Sequence, residues 1–78
     1  MREVKVLGSG CASCQATVRL IEEVAAQAGV QVELEKVEEM QEIMKYGVMS
    51  TPGVVVDGKV VHAGGVPDRE SVRGWLEG

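Results

Sequence analysis

The chain has 78 residues, 45% of them hydrophobic and 26% charged, a composition that predicts one globular domain over 1–78 and excludes a disordered segment. A net charge of −4 and an aromatic content of 3% exclude the basic, ring-laced surface that nucleic-acid binding needs. With one Trp, one Tyr and no Phe, the core has to be aliphatic.

The opening run REVKVLG alternates, with Val4 and Val6 on one face, and predicts a strand. GSG turns the chain. Cys14, Val18, Ile21, Ala25 and Ala28 then recur at helical spacing; Leu20 and Val24 widen the stripe, while Thr17 and Arg19 fall outside it. Cys14 is thereby expected on the buried face of this helix and Cys11 at its mouth, with Gly29 as the glycine stop. VQVELEKV alternates again, Val30, Val32 and Leu34 against Gln31, Glu33 and Glu35, and its polar face predicts an edge or half-exposed strand. EEMQEIMKYG returns to helical period through Met40, Ile43 and Met44 and stops at Gly47. VMSTP is a loop ending in proline. GVVVDGKVVHAG is a hairpin whose Asp57-Gly58 pair suits a type I′ turn. Asp68 can cap a last helix that buries Val72, Trp75 and Leu76.

The order β-α-β-α-β-β-α predicts an α/β fold. The first β-α-β unit makes its strands parallel, the closing hairpin adds antiparallel ones, and the outcome is a four-stranded mixed sheet with helices on both faces. No run approaches transmembrane length, and MREVKVLGSG carries no apolar signal region, so no membrane partner is expected and the cytoplasm is the expected location.

The only cysteines, Cys11 and Cys14, are spaced C-x-x-C. In a reducing compartment a close pair points to catalysis or metal binding more than to a structural bond. As a staple, a loop this short contributes only roughly 2 kcal/mol. A closed zinc site needs four ligands, and only His62 and carboxylates could complete one. A cysteine at a helix start is favoured as thiolate by free N–H groups and the helix dipole, and the thiolate is the nucleophile of disulfide exchange. Cys14, one turn further in, can reach a mixed disulfide on Cys11. Two thiolates also suit Cu(I), so a soft-metal carrier stays open as an alternative, as does a redox-inert binding module.

With STP (Ser50–Pro52) directly before the third strand, the chain resembles the thioredoxin superfamily, and within it the small, minimal, glutaredoxin-like family of thioredoxin-like or redox-active disulfide proteins. The resemblance runs nearly end to end: strand, GSGCASC, helix, strand, helix, VMSTP, GVVVDGKVV, helix. It implies a thiol–disulfide oxidoreductase and electron carrier, Cys11 attacking and Cys14 resolving, with the Cys11–Cys14 disulfide as its redox group and no other cofactor. It implies a cis Thr51–Pro52 peptide beside the cysteines, with the Thr51 backbone bonding an extended substrate. Gly10, Cys11, Thr51, Pro52 and Gly64 would form the docking surface. The implied partners are a disulfide-bearing protein or small-thiol substrate, and a reductase or low-molecular-weight thiol as electron donor.

The departures from thioredoxins are specific. Gly10 stands where they carry tryptophan, and Ala12-Ser13 replaces their Gly-Pro spacer. Lys5 falls near the place of their buried acid, so a base for the resolving thiol is absent or supplied otherwise. HAGGVPD sets Gly64-Gly65 and Asp68 in a place comparable with the glutathione-holding turn of glutaredoxins, although it also reads as a plain glycine turn entering a helix.

Overall fold

The alternation in REVKVL becomes β1 (Arg2–Leu7), the strand on which the rest is assembled. The computed structural model describes residues 2–8 and 10–77. After β1 come α1 (Ala12–Ala28), β2 (Val32–Val37), α2 (Met40–Lys45), β3 (Gly53–Val56), β4 (Lys59–Ala63) and α3 (Arg69–Glu77). The four strands form one sheet in the order β2-β1-β3-β4, with β1 parallel to β2 and antiparallel to β3, and β3 antiparallel to β4. β2 therefore lies at an edge, as its polar alternate face requires. The α/β reading, the element order and the mixed sheet all hold.

Period-two alternation sends the two faces of β1 to separate cores. Val4 and Val6 pack with Val18, Ile21, Val24 and Ala25 of α1 and Val72 and Leu76 of α3. Leu7, on the opposite face, packs with Val37, Val55, Val48 and Ile43 of α2. Val32 and Leu34 of the edge strand are half-buried against the first core. The β3–β4 hairpin closes through Asp57 (φ 50°) and Gly58 (φ 83°), both in the left-handed region that a type I′ turn demands. The Asp68 carboxylate accepts the Ser71 N–H at 2.7 Å and caps α3.

Two expectations are corrected. Thr17 belongs to the interior of α1: it is fully buried, and its hydroxyl donates to the Ser13 carbonyl one turn back at 2.8 Å, which satisfies the polar atom that had set it outside the stripe. Met40 and Met44 do not share the buried face of α2. They are 67% and 68% exposed, and Ile43 alone of that helix is buried. α2 has only six residues, too few to present a full apolar stripe to a sheet face already filled by Leu7, Val37 and Val55. No helix among the described residues is long and apolar enough to cross a membrane.

Candidate active site

The site begins where β1 ends. Gly10, in a left-handed conformation (φ 77°), delivers the chain into α1, and Cys11 takes the N-cap position with extended backbone. Its Sγ accepts the Cys14 N–H at 3.2 Å, so the sulfur occupies the place of the oxygen in an ordinary N-cap. The Gln15 side chain donates to the Gly10 carbonyl at 3.2 Å and ties the entry loop to the helix. Cys11 and Cys14 are joined as a disulfide with Cα atoms 5.0 Å apart. Cys11 is exposed; Cys14 is only 5% exposed, on the inner face of the first turn.

Two loops complete the surroundings. The Thr51–Pro52 peptide is cis, with Pro52 fully buried and Thr51 exposed. The Gly64 N–H donates to the Pro52 carbonyl at 2.9 Å, and a Cβ on Gly64 would stand 3.2 Å from that of Ser50, so the β4–α3 turn is bonded onto the proline loop. Gly8 links the proline loop to the disulfide. An added Cβ there would overlap Cys14 Sγ and lie 3.7 Å from Thr51 Cβ. Gly8, Cys14 and Thr51 are thus packed together, which brings Cys11, Cys14, Gly10, Thr51, Pro52 and Gly64 to one end of the sheet.

Gly8 is the member that sequence reasoning missed. The available signal was the first glycine of GSG, at a strand end immediately before a C-x-x-C.

Lys5 turns away from this site. It lies on the face of β1 opposite Val4 and Val6, where its Nζ donates to the Tyr46 hydroxyl at 3.3 Å and stands 5.9 Å from the ring centroid. The Tyr46 hydrogen bond raises its pKa, aided by the tyrosine's charge and by Glu35 and Glu3. His62 is a strand residue whose Nε2 pairs with the Gly65 carbonyl at 2.9 Å and whose ring rests 5.8 Å from that of Trp75. The Asp68 carboxyl, committed to Ser71, is held below its ordinary pKa by those hydrogen bonds. Among the described residues, no group of three or more His, Cys, Asp or Glu is placed to hold a metal ion.

A thioredoxin domain family model matches residues 2–77. A thioredoxin of Methanothermobacter thermautotrophicus is 33% identical over 73 residues, covering 94% of this chain and 95% of that protein. A thioredoxin of Methanocaldococcus jannaschii is 30% identical over 79 residues, covering 96% and 91%. Among solved structures, a mutant thioredoxin from Halobacterium salinarum superposes with a TM-score of 0.72 at 22% identity, over 97% of this chain and 72% of that one, a likeness of fold. An exposed N-cap cysteine bonded to a buried partner, at the end of this sheet and in this company, has one chemistry: the chain belongs to the thioredoxin family and is a thiol–disulfide oxidoreductase.

Proposed function

We propose that Cys11 is the attacking thiol and Cys14 the resolving one, exchanging disulfides with a protein or a small thiol. The difference in exposure between the two sulfurs carries this reading: Cys11 is open to solvent, while Cys14 is nearly closed off beneath it. The N–H groups at the start of α1 favour a thiolate on Cys11. That thiolate attacks one sulfur of the substrate disulfide. A mixed disulfide forms and the other substrate sulfur leaves as thiolate. Cys14, as thiolate, then attacks Cys11 Sγ, closing the Cys11–Cys14 bond and releasing the second substrate thiolate. Two electrons pass to the substrate, and a reductase or a low-molecular-weight thiol returns them. No further cofactor enters this exchange, and the cytoplasm is the proposed location.

Gly10, Thr51, Pro52 and Gly64 serve as the docking surface for an extended substrate segment, with the buried Pro52 shaping its backbone; the packing of Gly8 against Cys14 and Thr51 and the Gly64–Pro52 hydrogen bond support this reading. The soft-metal alternative is disfavoured by topology: such carriers run β-α-β-β-α-β, whereas this chain places a helix before the hairpin and α3 after it.

The test is a pair of variants. Cys14→Ser is expected to accumulate a covalent adduct with a disulfide substrate, seen on a non-reducing gel and dissolved by excess thiol. Cys11→Ser is expected to lose exchange altogether. Adducts on neither variant, together with no catalysed disulfide reduction by the wild type, would reject the assignment.

A further inference from the structure

Cys14 must lose a proton before it can attack, and it is only 5% exposed. It does line a cavity of about 150 Å³ between the end of β1, the first turns of α1 and the end of β2. Val6, Val18 and Gly8 form its apolar wall, and Lys36 and Glu38 stand at its polar side. Both charged residues are exposed, so the cavity runs from the sulfur to water and has room for several waters. The backbone fixes this placement. The Gly8 N–H donates to the Val37 carbonyl at 2.8 Å, which sets Glu38 beside Gly8, and Gly8 abuts Cys14 Sγ.

We infer that Glu38 is the proton acceptor for Cys14, working through water held in this cavity. The inference rests on the resolving role given to Cys14 above. In the resolving step the Cys14 S–H bond breaks and its proton passes through water to the Glu38 carboxylate. The new thiolate attacks Cys11 Sγ, the Cys11–Cys14 bond forms, and the substrate thiolate departs with the electron pair of the broken mixed disulfide. Glu38 then returns its proton to solvent. A carboxylate alone beside a thiolate would oppose its ionisation, and Lys36 on the same cavity offsets that penalty. The charged groups around this path are few. Cys11 caps the helix above it; Arg19 and Glu22 line the continuation of the groove past Val18 and Lys36; β1 contributes only the uncharged Val6, followed by Gly8; Lys5 and Tyr46 lie on the opposite face of the sheet.

The test separates the two attacks in time. The reduced protein is mixed with the aromatic disulfide of thionitrobenzoate, whose released thiolate absorbs visible light. The first release reports Cys11 and the second Cys14. E38Q is expected to slow the second release at least about tenfold near neutral pH. The gap should close above the ordinary thiol pKa of about 8.5, where hydroxide takes over. E38D is expected to recover part of the rate. The first release should be unchanged in both, and E35Q, whose carboxylate lies on the other face of β2, should follow the wild type throughout. A wild type that releases two thiolates while E38Q keeps its pH profile would overturn the role of Glu38 alone. A wild type that releases only one would remove the resolving role of Cys14 and this proposal with it.

Discussion

Asp57 shows how one side chain can tie the end of the sheet remote from the disulfide. Its Oδ2 pairs with Arg2 at 2.9 Å, its Oδ1 accepts the Glu3 N–H at 3.0 Å, and its own N–H donates to the Glu3 carbonyl at 2.8 Å. The Glu3 N–H, and then Arg2, hold its carboxyl below the ordinary value. A carboxyl depressed in the folded state stabilises the fold at pH values above the unfolded pKa of about 3.9, and that stability is lost as pH falls through the lower folded value. Asp57→Asn keeps a residue tolerant of the left-handed backbone and one acceptor oxygen for the Glu3 N–H, and loses the charge that pairs with Arg2 together with the titration. The urea midpoint, followed from near neutral into the acid range, is therefore expected to fall less steeply in D57N than in the wild type; parallel curves would dismiss the linkage. The turn itself was legible, because Asp-Gly states its backbone need in two letters. Cys11, Cys14 and Pro52 were legible for a similar reason, since their chemistry is local to short motifs. Gly8 and Glu38 were not. What each is asked to do arises only where β1, α1 and β2 meet, between residues with no sequence spacing in common.

Helix α3 shows the limits and the strength of periodicity. Val72 and Leu76 are fully buried or nearly so, and both belong to the core shared by β1 and α1. Arg69, which reaches Glu23 and Gln27 of α1 at 3.3 and 2.9 Å, is exposed and adds little, as surface pairs do. The apolar face therefore holds this helix down. Leu76→Ala is expected to cost about 2–5 kcal/mol, a large share of the total for a domain of this size. A lower denaturant midpoint at unchanged m-value is the signature, and a loss under 1 kcal/mol, roughly the scale of a surface change, would show that α3 is held by its polar contacts instead. Long elements such as α1 were legible because several turns average out an exception like Thr17. The six-residue α2 offered no such averaging. Its two outward methionines look the same in sequence as inward ones, and the competing sheet residues that exclude them come from other elements.

At the scale of the molecule, neither core contains the disulfide. The α1–α3 core and the α2 core close on opposite faces of the sheet, and Cys14, though buried, belongs to neither cluster. Two strand pairings followed from connectivity: a crossover helix makes β1 and β2 parallel, and a tight turn makes β3 and β4 antiparallel. The seating of β3 beside β1, which completes the order β2-β1-β3-β4, joins strands that are not consecutive and was not legible. Every strand contact is thus made without the cysteines. Cross-linking a loop this short restricts the unfolded chain by only roughly 2 kcal/mol in the chain-entropy view. A Cys11 thiolate at the start of α1 regains part of that in the reduced state. Reduction is therefore expected to leave the far-ultraviolet circular dichroism unchanged at room temperature and to lower the melting temperature by no more than about 8–16 °C, the shift that 2 kcal/mol brings to a domain of this length. A reduced protein that unfolds outright would make the bond a staple. A fold that survives in both states is what a two-electron carrier requires, because each turnover passes through the dithiol, the mixed disulfide and the closed bond, and the loops around Pro52 and Gly64, proposed above to dock the substrate, must keep their places in all of them.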